Sequence, residues 1–254
     1  MAAQHTSART ASVLAHPVMA HRQDDTTPRT RSAKRLLALG AAGSLLFTAT
    51  YMIEGLTRPG YDAWRQPISA LSLGPGGGIQ AATFILFGLV VGCSSLGYRL
   101  ALAPGLGARA IPVLRLLAAV GLIADGLCSQ DPAAGYPLGS AALLAPTLHG
   151  TIHTIGASVA LTALAASCVV FAGRFAGEPD WRAWAPCAVA AGVLTLVFIV
   201  AFGATLGHGP AGLFERLASA TPGLFRRAVS ARLLAGTGRV ASPRRAPGGV
   251  AARS

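Results

Sequence analysis

Residues 128–155 read CSQDPAAGYPLGSAALLAPTLHGTIHTI, a polar and turn-rich stretch between two long apolar segments. Proline, glycine and serine interrupt it repeatedly, as they do in loops. It also holds Asp131, Tyr136, His149 and His153, a large share of the titratable side chains in a chain that is only 12% charged. We interpret this stretch as the outer loop of a multi-pass membrane protein and expect any functional site to be built around it.

The composition of the whole chain supports a membrane protein. Of its 254 residues, 52% are hydrophobic, and the mean hydropathy is +0.54. A soluble domain has about 25% charged residues, roughly twice the share found here. Several uncharged runs approach the ~20 residues that a helix needs to cross a bilayer, where an open chain must pair its own backbone groups. The sequence predicts an all-α integral membrane bundle with five clear transmembrane helices, at 36–53, 79–98, 110–127, 148–173 and 183–206.

A sixth helix in the region 212–236 is doubtful from the sequence. It would carry Arg226, Arg227 and Arg232, and each charge at mid-bilayer costs about 2.5–3.5 kcal/mol on insertion scales. Three alternatives stay open: five spans with a basic tail outside, six spans, or an amphipathic helix lying in the interface. We favour a poor sixth helix, tilted or partly interfacial, whose arginines snorkel at its inner end. We likewise expect Arg115 of the third span to snorkel to the inner interface.

The net charge of +12 lies mainly at the two ends of the chain. A nucleic-acid binder needs a basic face on a folded module, so we expect no nucleic-acid partner. We expect the partners to be the lipid bilayer and, at the basic ends, anionic lipid head groups. We assign 1–33 to a disordered basic cytoplasmic tail, 34–236 to the transmembrane bundle and 237–254 to a disordered Arg-, Pro- and Gly-rich tail.

The placement of arginine in the short loops predicts the orientation. If the N-terminus is inside, the inner loops hold Arg99 and Arg109, then Arg174 and Arg182, whereas residues 126–148 hold no Lys or Arg. Cytoplasmic loops carry the excess of positive charge. We therefore predict a multi-pass protein of the cell membrane with a cytoplasmic N-terminus.

Five features in a fixed order resemble the family called domain of unknown function 998. They are Gln66-Pro67-Ile68-Ser69-Ala70-Leu71-Ser72 with Gly74, Asp131-Pro132 with Gly135-Tyr136-Pro137 and Gly139, His149-Gly150 with His153, Gly212-Leu213-Phe214-Glu215-Arg216, and the spacing of the apolar runs. The resemblance covers residues 36 to 220 and implies a six-span bacterial membrane protein with no known reaction. This chain departs from the family pattern after Pro222, where an Arg-rich sequence replaces an apolar sixth span.

Polar side chains converge on the outer face under this topology. They are Glu54, Ser69, Asp125, Asp131, His149, His153 and His208. His149 and His153 are four residues apart at a helix start, so their rings share one face. Such a pair can chelate zinc, with His208 or Asp131 as a third ligand and water as the fourth. Ser69, Asp125 or Asp131 would then assist hydrolysis by the metal-bound water, which makes a membrane-surface metal hydrolase the alternative function.

The main interpretation is a non-catalytic bundle that binds a small molecule, a lipid or a partner protein, with no cofactor. In that case the histidines make hydrogen bonds that tie the third and fourth spans together. Asp131-Pro132 then forms a turn, because Asp accepts hydrogen bonds from nearby backbone amides. Asp125 lies near the end of an apolar run, where an ionisable group is functional or paired. Its expected partners are His149, His153 or water.

Overall fold

The computed structural model describes residues 27–140 and 144–236, and this part of the chain contains helices and loops without strands. It therefore confirms the predicted all-α membrane bundle. The two tails at 1–26 and 237–254 lie outside the described residues. The long helices are α1 (Pro28–Thr57), α2 (Gly77–Leu102), α3 (Ala110–Leu127), α4 (Leu148–Ala176), α5 (Ala185–Thr205) and α6 (Ala211–Leu234), and the short 3-10 helices are η1 (Ile68–Ser72) and η2 (Pro179–Trp184).

The first five long helices are apolar enough to cross a membrane, with mean hydropathies from 1.7 to 2.5. Two begin at a capping threonine: Thr27 accepts from the amide of Thr30, and Thr147 from that of Gly150. Such a cap satisfies an amide that the helix cannot pair itself. Because α1 begins at Pro28, the assignment of residues 28–33 to the disordered tail is wrong. Proline suits the first helical turn, since its missing N–H has no partner to lose there.

The helices form a ring in which neighbours in sequence are neighbours in space. Each helix packs against the next, and α6 closes the ring against α1. Connected helices run in opposite directions. We call the end where α1, α3 and α5 finish the loop end, because it carries η1 and residues 128–140 and 144–147. We call the opposite end the terminal end.

Small residues allow the helices to cross closely at Gly88, Gly97 and Gly156. A Cβ atom on Gly88 would lie 2.9 Å from the carbonyl oxygen of Ala119, and one on Gly97 would lie 2.9 Å from Cβ of Leu36. At Gly156 the added atom would lie 2.6 Å from Oδ1 of Asp125. Side chains at these crossings would force the helices apart.

Helix α6 extends along the bundle from the loop end to the terminal end, although it is not one of the five helices that are apolar enough to cross a membrane. At the loop end the amide of Gly212 donates to Arg65 O at 3.2 Å, and at the terminal end Arg232 Nη2 donates to Asp180 O at 2.6 Å. Its buried face includes Glu215, Arg226 and Ser230, whereas its exposed face consists of Leu224, Ala228 and Ala231. The charged side chains of α6 are turned inward. The mean hydropathy of the helix is therefore low although its outer surface is apolar.

The arginines expected to snorkel point into the bundle instead. Arg226 is 6% exposed and Arg115 is 2% exposed. The Arg115 guanidinium lies 4.6 Å from the centre of the Tyr98 ring and donates to Oγ of Ser94. An aromatic face and a hydroxyl inside the bundle thus replace the water that snorkelling would reach.

Candidate functional site

A cavity lies in the loop-end half of the bundle, beneath η1. The space open to the centres of water molecules is about 40 Å³, whereas one water needs about 10–15 Å³. The cavity therefore has room for several waters or a small ligand. Its polar lining is Ser69, Asp125, His153, Glu215, Ser219 and Arg226, and its aromatic lining is Phe47, Phe84 and Phe87.

His153 and Asp125 present unsatisfied acceptors at this cavity. Nδ1 of His153 lies 2.8 Å from Cys128 O and 3.2 Å from Asp125 O. A carbonyl oxygen only accepts, so Nδ1 carries the proton and Nε2 is left as an acceptor. Nε2 of His153 and Oδ1 of Asp125 are buried and have no hydrogen-bond partner in the described part of the chain. Buried polar atoms without partners are rare in folded proteins and call for an explanation.

The same contacts tie α4 to the end of α3. Both carbonyl oxygens bound by the His153 ring belong to the last turn of α3 or to the residue that ends it. His153 thus makes the kind of contact that the sequence suggests for the histidines, whereas His149 is exposed. His153 is one of the partners expected for Asp125, but it contacts only the main chain of that residue. The ring bonds the carbonyl oxygen of Asp125, and the carboxyl group is left on the side of the cavity.

Glu215 fixes the roof of the cavity. Its carboxylate is buried and accepts a hydrogen bond from the backbone amide of Ile68, at the start of η1. Ser69, the next residue, lines the cavity and donates its hydroxyl proton to Oε1 of Gln130. A carboxylate from α6 therefore holds the loop that positions Ser69.

Arg216 clamps the same loop from its other side. Its Nη1 donates to Ala63 O at 2.8 Å and to Gln66 O at 3.2 Å, and its Nη2 donates to the hydroxyl of Tyr61 at 2.6 Å. The Tyr61 hydroxyl in turn donates to Pro67 O at 2.8 Å. Burial raises the pKa of Tyr61 above its usual range, so its hydroxyl remains a donor well into alkaline pH.

Asp131 organises the entry into α4. Its carboxylate accepts from the amide of Thr147 at 2.9 Å and from the Thr147 hydroxyl at 2.6 Å. A Cβ atom at Gly150 would lie 2.2 Å from Oδ2 of Asp131, so glycine leaves the carboxylate its place. The sequence predicts a bond to a nearby amide in a turn, whereas the amide that Asp131 bonds is 16 residues away and begins a helix.

The structure separates the candidate metal ligands. His149 and His208 are exposed, whereas His153 is buried at the cavity. Among residues 27–140 and 144–236, no group of three His, Cys, Asp or Glu side chains is placed to hold a metal ion. Of the predicted site residues, Ser69, Asp125 and His153 line the cavity, and His149, His208 and Asp131 do not.

Sequence analysis did not select Glu215 and Arg226 as site residues. Both are in a segment of low hydropathy, and both turn out to be buried lining residues. The signal that identifies them is helical spacing. Positions 215, 218, 222, 226 and 229 recur at three or four residues and share the buried face of α6. An ionisable residue on the inner face of a membrane helix is a functional candidate.

The sequence motifs singled out above meet at the loop end. A Cβ atom at Gly212 would lie 2.2 Å from Gln66 O, so the start of α6 touches the loop before η1. Nε2 of Gln66 donates to Ala134 O at 3.2 Å, and the rings of Tyr61 and Tyr136 pack edge to face at 5.4 Å. The motifs therefore build one layer over the cavity.

Comparison with known proteins agrees with the resemblance of these motifs. No curated protein and no solved structure matches the chain. The model of one family, described as protein of unknown function DUF998, matches residues 41–232. The match includes α2 to α5 and most of α1 and α6, with every cavity-lining side chain named above. The chain therefore belongs to the DUF998 family of multi-pass membrane proteins.

Proposed function

We propose that this chain is a non-catalytic membrane protein that binds a small organic ammonium cation in the loop-end cavity. The observation that carries the proposal is the pair of acceptors, Nε2 of His153 and Oδ1 of Asp125, buried without a donor among the described residues. An alkylammonium group has N–H donors for such acceptors and a charge complementary to a carboxylate. Leaving these acceptors without a donor would cost about 1–3 kcal/mol each.

The charges of the lining support a cation. Among the described residues of the lining, Asp125 and Glu215 are the carboxylates and Arg226 is the only guanidinium. With all three ionised the cavity has a net charge of −1, which a monovalent cation neutralises. A charge inside a membrane protein is stable only when it is paired.

The apolar part of the lining sets the size and character of the ligand. The rings of Phe47 and Phe87 stack with centroids 4.4 Å apart, and the Phe84 ring packs edge to face on His153 at 6.1 Å. Aromatic faces attract cations and accommodate alkyl groups. A short alkyl chain bearing a primary ammonium group fits this combination better than a hydrated metal ion, which would need a polar lining throughout.

For the setting of this site we propose a bacterial cell membrane, with a cytoplasmic N-terminus and the loop end outside. The absence of Lys and Arg from residues 126–148 supports this orientation. The basic ends of the chain would then contact anionic head groups on the cytoplasmic side. In this orientation the cavity draws its ligand from the external medium or the outer leaflet.

The proposal is tested by ligand-induced thermal stabilisation of the detergent-purified protein at neutral pH. The probes are n-propylammonium, which has charge and N–H donors, tetramethylammonium, which has charge alone, and n-propanol, which is a neutral donor. A ligand that binds only the folded state raises its stability with concentration. We expect n-propylammonium to raise the melting temperature most, and Asp125→Asn to weaken its apparent affinity about tenfold or more.

The matched control is Asp62→Asn. Asp62 is exposed at the same end of the bundle, and its Oδ1 accepts from the Trp64 amide, a bond that an asparagine oxygen also makes. This variant removes the same charge and should respond to n-propylammonium as the wild type does. Equal responses to n-propylammonium and n-propanol, or an unchanged response in Asp125→Asn, would refute the proposal.

A further inference from the structure

A second, smaller cavity lies deeper in the bundle, toward the terminal end. The side chains that carry its chemistry are Ser44, Tyr98, Arg115, Arg226, Arg227 and Ser230. The space open to the centres of water-sized particles is about 10 Å³, which is the room for about one water. Among the residues that the structure describes, its lining contains guanidinium and hydroxyl groups and no carboxylate, whereas the loop-end cavity also contains two carboxylates.

Arg115 has donors without acceptors at this cavity. It is 2% exposed, and its Nη2 donates to Oγ of Ser94. Its Nε and Nη1 are buried and have no hydrogen-bond partner among the residues that the structure describes. The Tyr98 ring faces the guanidinium at 4.6 Å, which stabilises the charge but accepts neither proton in a conventional hydrogen bond.

The other two arginines bring further positive charge to the same space. Nε of Arg226 donates to Pro222 O at 3.0 Å, and Nη1 of Arg227 donates to Oγ of Ser44 at 3.0 Å. Within residues 27–140 and 144–236, the ion pairs present are Arg58–Glu54 and Arg174–Glu178, and neither involves these arginines. Arg226 also lines the loop-end cavity together with Asp125 and Glu215, whereas Arg115 lines only this second cavity, and a buried charge without a counter-charge is strongly unfavourable.

We propose that this cavity binds a single monatomic anion of the chloride class. Such an anion supplies the missing negative charge and accepts hydrogen bonds from several donors at once. Water fits the space but leaves the positive charge uncompensated. A tetrahedral oxyanion, such as a phosphate or a lipid head group, is too large for room that holds about one water.

The hydroxyl groups of the lining suit the same ligand. The oxygens of Tyr98 and Ser230 lie 2.9 Å apart, and the Tyr98 hydroxyl also donates to Arg226 O at 3.4 Å. A bond of 3.4 Å is long for a hydroxyl donor, so an anion in the cavity would compete for the Tyr98 proton. The anion site thus joins α2, α3 and α6 through Tyr98, Arg115 and Arg226, and it stands whether or not the loop-end cavity binds an ammonium ion.

The test measures chloride binding to the full-length protein purified in gluconate. Equilibrium dialysis against radioactive chloride should show saturable binding of about one ion per chain. At constant ionic strength, replacing gluconate with chloride should also raise the melting temperature. In Arg115→Gln we expect chloride affinity to fall about tenfold or more. The substitution removes a full positive charge and the two donors that have no acceptor, Nε and Nη1.

The matched control is Arg29→Gln, which removes a charge from an exposed residue at the same end of the bundle and should bind chloride as the wild type does. If Arg115→Gln does not fold, Arg227→Gln at the half-buried edge of the cavity replaces it, again with weaker chloride binding expected. No saturable chloride binding by the wild type would overturn the proposal. Equal binding by the wild type and the folded cavity variant would overturn it as well.

Discussion

Gly121→Leu is expected to lower the free energy of unfolding by about 3 kcal/mol, the effect of overpacking a well-packed core. A Cβ atom at Gly121 would lie 2.4 Å from the carbonyl oxygen of Gly156 and 3.1 Å from Cβ of Ala160. Both belong to α4, so relief requires separation of α3 from α4. That separation would also break the bonds from His153 to the end of α3. Thermal melts of the purified variant, monitored by loss of monodisperse protein, measure the effect.

Gly203→Leu is the matched control for this substitution. Gly203 is in α5, and a Cβ atom there would meet nothing within 4 Å. It makes the same chemical change without a helix crossing, so its melting temperature should stay close to that of the wild type. Equal melting temperatures for the two variants would show that the α3–α4 crossing is not as close as described.

Glu215→Ala is expected to lower the free energy of unfolding by about 1.5–3 kcal/mol, because the buried amide of Ile68 loses a charged acceptor. The change also releases η1 from α6, since the Glu215 carboxylate makes the bond that joins them. Hydrogen–deuterium exchange of residues 66–72 should therefore become faster by a factor of at least about ten, the equivalent of 1.4 kcal/mol.

Glu215→Gln keeps a hydrogen-bond acceptor for the Ile68 amide and removes the negative charge. The amide oxygen of glutamine still accepts from Ile68, so exchange of residues 66–72 should lie between that of the wild type and that of Glu215→Ala. Unchanged exchange in Glu215→Ala would mean that the carboxylate does not hold the roof of the cavity.

Sequence patterns predicted the apolar helices well, because hydropathy and length determine them. Helix α3 has the predicted bounds of 110–127, and α4 begins at the predicted residue 148. Helix α1 is longer than its apolar run, since Thr27 and Pro28 provide a cap and a first turn that a hydropathy window does not register. The amphipathic α6 was doubtful because window averages combine its polar inner face with its apolar outer face.

The site was only partly predictable from the sequence. Topology placed Ser69, Asp125 and His153 at one end of the bundle, where the cavity is. Spacing alone suggested that His149 and His153 act together, but the first turn of α4 leaves His149 exposed while His153 packs under the end of α3. The inward direction of Arg115 depends on Tyr98 and Ser94 of another helix, which sequence reasoning without contacts does not reveal.

The protonation of the His153 ring tests the account most directly, because Nε2 of His153 is an acceptor at the loop-end cavity only if Nδ1 carries the proton. Solid-state NMR of the protein in lipid bilayers, with ¹⁵N-labelled histidine, reports the protonation of both ring nitrogens. The His153 signals are identified as those lost in His153→Gln. We predict a protonated Nδ1 and a bare Nε2, whose resonance moves when n-propylammonium is added while that of the exposed His149 stays in place. A proton on Nε2 before ligand is added would contradict the account.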